Sequence, residues 1–129
     1  IKTSEARKVL PKEIPLKTAI TQWGNLGGFI SGLYTEDYAL MGRCLQDIVA
    51  EPYRKNLIPE FDTVKKVALE NGALGCGISG SGPSIYALSK GIQTSENVGN
   101  KIKEVYLKTG IGFDVYISKV CDNGVTKLK

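Results

Sequence analysis

Apolar residues recur every three or four positions through the first half of the chain and closer to every second position later on. After Pro15, residues Leu16, Ala19, Ile20, Trp23, Leu26, Gly27, Ile30 and Leu33 fall at helical spacing, which predicts a long amphipathic helix with this stripe in the core. Its glycines weaken intrinsic helicity by about 1 kcal/mol each relative to alanine, and they also permit close helix–helix approach. A short helix is predicted over Ser4 to Leu10, with Thr3 or Ser4 as N-cap and Pro11 as its stop. Glu36 and Asp37 open another, with Tyr38, Met41, Leu45 and Ile48 on one face; acids in a first turn suit the helix dipole. Glu51-Pro52-Tyr53-Arg54 interrupts this helical region. Pro59 then stands at a first helical position, and the helix carrying Phe61, Val64 and Ala68 stops at Asn71-Gly72.

Beyond Gly72 the period changes. Ala73 to Ser79 and Ser84 to Ser89 read as strands separated by Gly80-Ser81-Gly82-Pro83. Ser95 to Thr109 reads as a helix ending at Gly110, with Val98, Ile102, Val105 and Tyr106 inward. Gly112 to Val120 alternates as a strand, Asn123-Gly124 marks a turn, and Val125 to Leu128 reads as a last strand. The expected class is α+β, with helices packed on a small, mostly antiparallel sheet. There is no internal repeat, low-complexity tract or linker, and 129 residues suit a single domain.

Composition removes several classes of function. The net charge of +4 is carried by scattered lysines, with no run of five like charges. No concentrated basic stripe is present for nucleic acid. No apolar run approaches the roughly 18 to 20 residues of a membrane span, and no secretory signal pattern appears. Cys44, Cys76 and Cys121 form no CxxC pair, so reduced thiols in a cytoplasmic protein are expected. The chain has no histidine, which excludes Ser-His-Asp and Cys-His catalysis and histidine metal sites within it. A carboxylate-only Mg²⁺ site remains open. The opening Ile1-Lys2-Thr3, without a methionine, reads like a strand end cut from something longer.

The densest local signal is Gly72-Ala-Leu-Gly75-Cys-Gly77-Ile-Ser79-Gly80-Ser81-Gly82-Pro-Ser84, with five glycines and three serines in thirteen residues. Glycine allows positive φ and close approach of a ligand to the main chain. Successive N–H groups in such a loop can form an anion-binding nest, and Ser79, Ser81 and Ser84 add hydroxyls. A tight hairpin whose glycines serve only turn geometry is an equal reading. Gly75-Cys-Gly77-Ile-Ser-Gly80 fits GxGxxG in letters, but a dinucleotide fingerprint needs a strand before it and a helix after it, and here the order is reversed. GxxxxGK[ST] and GxSxG are both absent.

Gly72 to Leu88 resembles the third conserved motif of GHMP kinases in its homoserine kinase form. Lys2-Thr3-Ser4-Glu5-Ala6-Arg7 followed by Leu10-Pro11 is similar to the segment that begins the C-terminal lobe in that family. Asp47 through Glu51-Pro52-Tyr53-Arg54 to Leu57-Ile58-Pro59 resembles a further block, and the three stand in the family's order. The resemblance implies a GHMP kinase C-terminal domain, ferredoxin-like in relation, spanning 1–129 as part of a longer two-lobed enzyme. It implies transfer of the ATP γ-phosphate to the side-chain hydroxyl of L-homoserine, a step of threonine biosynthesis, with ATP and Mg²⁺ held mainly by the N-terminal lobe.

By the same resemblance Thr3, Arg7, Arg54 and Gly80 contact substrate, the arginines holding its carboxylate through paired N–H donors. Gly77, Ser79, Gly80, Ser81 and Gly82 form the phosphate loop. No catalytic base and no metal ligand is assigned in this chain. Each residue also has a plain structural reading. Arg7 is then a solvated helix residue, Arg54 a surface ion-pair partner of Glu51, Thr3 an N-cap, Trp23 a core residue and Cys76 a small packing residue. A stand-alone anion-binding regulatory module, or a GHMP kinase acting on mevalonate or a sugar, are the alternative functions. The expected partners are L-homoserine and the chain's own N-terminal lobe, and a homodimer through exposed apolar surface is compatible with the sequence.

Overall fold

The structure, a computed structural model, describes residues 1–125. Six α-helices and one two-stranded antiparallel sheet follow in the order α1 (Thr3–Lys8), α2 (Leu16–Thr35), α3 (Tyr38–Cys44), α4 (Glu51–Arg54), α5 (Phe61–Glu70), β1 (Ala73–Ile78), β2 (Ile85–Ser89) and α6 (Ile92–Tyr106). A single 3₁₀ turn, Lys55–Leu57, continues α4. Thus Glu51-Pro52-Tyr53-Arg54, read from the sequence as an interruption, is itself a helical turn, with proline in its first turn where a missing N–H costs nothing.

Helices α5 and α6 cover one face of the hairpin. Val64 and Ala68 from α5, Ala73 and Cys76 from β1, and Val98 from α6 form the buried cluster, with Ile85, Ala87, Ile102, Val105 and Tyr106 packed around it. Val64, Ala68, Val98, Ile102, Val105 and Tyr106 are the helix positions that the periodicity picks out, whereas no inward face was assigned to the strand residues. Between β1 and α2 lies α3, where Leu45 fills the space over Gly75 and Gly42 approaches the Leu74 carbonyl. In the hairpin, Gly77 stands opposite Tyr86 and Ile78 opposite Ile85, with a bulge between Ala73 and Gly75.

Several boundaries differ from the sequence reading. Thr3 is the first residue of α1 rather than its cap, and Lys2 takes the cap position, its N–H donating to Glu5 Oε2 at 3.3 Å. Glu60 adopts φ 59°, so α5 starts at Phe61 and not Pro59. Gly91, at φ 81°, turns the chain into α6 three residues before Ser95. Gly112 to Val120 forms no ladder with any described residue. Its alternation nevertheless sets a face: Phe113 meets the Tyr106 ring at 5.5 Å, and Val115 and Ile117 lie against α6 at Gly99. Alternation decides which side chains face a neighbour, whereas pairing requires a second strand. The turn at Asn123 is present. Val125 is not in a strand, and the rest of the final predicted strand lies outside the described residues.

The largest correction concerns α2. The helix has the expected length, but it faces the opposite way. Gly28 and Gly32 let it close on Cys44 and Met41 of α3, the Asn25 amide donates to the Gln46 carbonyl, and Gln22 Oε1 accepts from the Ile48 N–H. The stripe expected in the core points outward, with Trp23 64% and Leu16 68% exposed. Two glycines of the four thus give the close approach, while Gly24 and Gly27 face open space.

Candidate functional site

Three segments far apart in sequence meet at the turn of the hairpin. Arg54, half-buried at the end of α4, donates from Nε to the Ala6 carbonyl of α1 at 3.1 Å and from Nη1 to the Gly80 carbonyl at 3.0 Å. Thr3 Oγ1 and Ser81 Oγ lie 3.3 Å apart. Thr3, Arg54, Gly80 and Ser81 are therefore one cluster. Arg7 follows Thr3 by four residues on the same exposed face of α1, which aligns it with the cluster. Its side chain has no hydrogen bond or ion pair among the described residues.

The charge of Arg54 is the informative feature. Glu51, its expected ion-pair partner, instead binds Lys65. Lys55 takes Asp62 at 2.8 Å. Arg54 is thus held by two neutral carbonyls, and no carboxylate neutralises it among the described residues. Its Nη2 has no acceptor there. A guanidinium oriented by fixed carbonyls yet not neutralised is a receptor for an anion. Asp47 supports this arrangement, since its carboxylate accepts from the N–H groups of Val49, Ala50 and Glu51 at 2.9, 2.7 and 3.2 Å and so shapes the start of α4. The roles of Asp47 and of the Lys65–Glu51 pair were not read from the sequence. Asp47 carried a local signal, an N-cap residue type just ahead of a proline in a first helical turn; Lys65 carried none.

The turn itself is closed by Ser79 N–H to the Ser84 carbonyl at 2.8 Å and Gly82 N–H to the Ser79 carbonyl at 3.1 Å, and the Gly82–Pro83 peptide is cis. Gly80 and Gly82 have φ of 62° and 75°, which glycine adopts without a Cβ penalty. A Cβ on Gly80 would meet open space, whereas one on Gly82 would collide with Ile58. The main-chain N–H groups of Gly80 and Ser81 have no acceptor among the described residues. Gly77 is placed differently from the other candidates. It lies buried inside β1 beneath the Tyr86 ring, so its missing side chain is explained by packing.

A cavity of about 360 Å³ beside this cluster is lined by Leu45, Asp47, Glu51, Lys65 and Cys76 among others. None of Thr3, Arg7, Arg54 or Gly80 lines it; of its three charged residues Lys65 and Glu51 pair with each other, and the Asp47 carboxylate accepts the N–H groups at the start of α4. Burial pushes the Cys76 thiol up to about 11, against the nearby Lys65 charge, so the thiol is protonated and unreactive at neutral pH. Among the described residues no group of three or more acidic or cysteine side chains is arranged to hold a metal ion, and no helix is long and apolar enough to cross a membrane.

Over residues 29–108 the chain matches the family described as GHMP kinases C terminal, and it belongs to that family. Among curated proteins it is 52% identical over 126 residues to a homoserine kinase of Chlorobaculum tepidum, covering 96% of this chain and 39% of that protein. It is 44% identical over 128 residues to a homoserine kinase of Buchnera aphidicola subsp. Schizaphis graminum, covering 99% of this chain and 41% of the relative. The chain thus spans about two fifths of the length of the curated relatives it matches. Among solved structures, that of homoserine kinase from Cytophaga hutchinsonii superposes with a TM-score of 0.90 at 51% identity, over 93% of this chain and 38% of the other.

Proposed function

We propose that this chain is the acceptor-binding lobe of a homoserine kinase, which transfers the γ-phosphate of ATP to the side-chain hydroxyl of L-homoserine in threonine biosynthesis. The single observation that carries the reading is Arg54, anchored to two carbonyls and without a carboxylate partner among the described residues. It is placed to take the substrate carboxylate through its remaining N–H groups, with Arg7 adding a second positive charge and Thr3 a hydroxyl. The Ser79–Gly82 turn offers N–H donors to the substrate or to the transferred phosphoryl group, whose transfer depends on alignment and charge stabilisation. These donors fit an anionic group of ATP or of the product. Among the described residues no side-chain cluster fits a Mg²⁺ ion. The two-lobed organisation, with ATP and metal held by the other lobe, rests on the family membership and on the relatives' greater length. The three free thiols accord with a cytoplasmic setting.

The test is steady-state kinetics of the full-length protein with homoserine and with 3-aminopropan-1-ol, the same acceptor without its carboxylate. A hydrogen bond to a charged group contributes about 1.5 to 3 kcal/mol. Arg54→Ala is therefore expected to lower kcat/KM for homoserine by about 10- to 150-fold and to change the value for the decarboxylated acceptor little. Equal losses for both acceptors, or no loss for either, would remove Arg54 from the carboxylate site.

A further inference from the structure

Glu51 opens α4 and Arg54 closes it three residues on, the spacing at which helix side chains are neighbours. Left to itself, that carboxylate would neutralise the guanidinium. An acid in the same helical turn competes at an effective concentration on the order of millimolar or more, whereas a free substrate carboxylate must reach the same fork by diffusion. A carboxylate receptor at Arg54 therefore needs something that holds Glu51 away.

Lys65 of α5 has that position. Its ammonium donates to Glu51 Oε1 and lies 5.9 Å from the centroid of the Phe61 ring, one turn back on the same helix. Phe61 and Val64 are buried, so the part of α5 that carries Lys65 is anchored in the core. The side chains of Lys65 and Glu51 are only 22% and 13% exposed, unlike the neighbouring Lys55–Asp62 pair, whose acid is 71% exposed. Water screens the second pair far more than the first. Without Lys65, Glu51 is left as a poorly solvated carboxylate in search of another cation. Its main chain is fixed as well, because its N–H donates to Asp47 Oδ2 at 3.2 Å. Lys55 is already held by Asp62, which leaves Arg54.

We propose that Lys65 is a positioning residue of the acceptor site: by holding Glu51 it keeps the Arg54 guanidinium free for the substrate carboxylate. The proposal rests on the carboxylate reading of Arg54 given above. Its test is steady-state kinetics of the full-length protein with homoserine and with 3-aminopropan-1-ol, after each variant has been checked for cooperative thermal unfolding. Lys65→Met keeps the apolar stem of the side chain and removes its charge. It is expected to raise KM for homoserine about tenfold with kcat within about twofold, and to change the decarboxylated acceptor little. Adding Glu51→Gln to Lys65→Met removes the intercepting charge, and it is expected to bring KM back to within about threefold of the native value. Lys65→Arg keeps the charge and is expected to behave as the native protein does. Lys55→Met removes a charge next to Arg54 but frees only a solvated carboxylate, so both acceptors are expected to stay within about twofold. Glu51→Gln alone decides the matter where Lys65→Met does not fold. It is expected to keep KM within about twofold, whereas a pair that only holds α4 in place predicts a loss as large as that of Arg54→Ala. Such a loss, no rise in KM for Lys65→Met, a rise that Glu51→Gln does not reverse, or an equal rise for both acceptors would each overturn the proposal. An equal effect of Lys55→Met reduces the result to net charge and overturns it too. Arg54→Ala tests the carboxylate reading separately: a carboxylate-selective loss there, with none in Lys65→Met, sinks this proposal and leaves that reading standing.

Discussion

At the scale of single residues, function here turns on which charges are already taken. Lys65 removes Glu51 from Arg54, and Asp62 removes Lys55; what is left beside the turn is a guanidinium tied to the Ala6 and Gly80 carbonyls. Arg54→Lys keeps the charge but loses the planar fork that serves two carbonyls and a ligand together. It is expected to recover less than a tenth of the activity lost by Arg54→Ala, measured as kcat/KM for homoserine in the full-length protein. Cys76 gives a separate expectation at this scale. Its folded pKa is raised from 9.0 to about 11 by burial. Between those values the folded state holds a proton that the unfolded state has released, so stability is full below pH 9 and falls as pH rises towards 11. Denaturant midpoints measured across that window are expected to fall more steeply for the native chain than for Cys76→Ala. Parallel curves would show that the thiol does not titrate with folding.

At the scale of elements, α2 shows how far periodicity reaches. The spacing of Leu16, Ile20, Trp23, Ile30 and Leu33 established a helix and a stripe, and both are present. It could not say which face meets the chain's own core, because a stripe that binds another surface has the same period as one that binds inward. The deciding residues are Gly28 and Gly32, where small size lets α3 come close. At Gly32 a Cβ would lie 2.7 Å from Met41 Cγ and 3.1 Å from the Asp37 carbonyl oxygen. Gly32→Ala gains about 1 kcal/mol of helix propensity, yet overpacking costs about 1 to 3 kcal/mol. A net loss of about 1 kcal/mol is expected in chemical denaturation, and a gain would show that α2 and α3 separate easily. The extended segment from Gly112 to Val120 illustrates the same limit: its alternation placed Phe113, Val115 and Ile117 on α6, but pairing depends on strands elsewhere. The glycine loop was legible as a tight turn, since Gly80 and Gly82 need positive φ. The packing of Gly77 under the Tyr86 ring was hidden, because the sequence does not show which side chain lies over a strand glycine.

At the scale of the whole molecule, the site is a junction. Thr3, Arg54 and Ser81 come from three segments and are joined by three contacts across α1, α4 and the hairpin turn. A ligand bound at that junction favours the folded state over the unfolded one by linkage, about 2.7 kcal/mol at a concentration one hundred times its Kd. Homoserine is therefore expected to raise the Tm of the full-length protein, and Arg54→Ala to abolish most of that rise while leaving the ligand-free Tm within a few degrees. On the proposed function, phosphoryl transfer requires more than this junction, because ATP and its metal must be held in line with the acceptor hydroxyl, and among the described residues no acidic or cysteine cluster forms a metal cage. The 129-residue chain alone, checked for helix content by circular dichroism, is thus expected to release no ADP from ATP in the presence of homoserine. Turnover by that chain would place the ATP site within it and overturn the division of labour between two lobes. If it shows no turnover but a homoserine-dependent rise in Tm, the acceptor wall is built by this chain's own residues, ahead of any contribution from the rest of the enzyme.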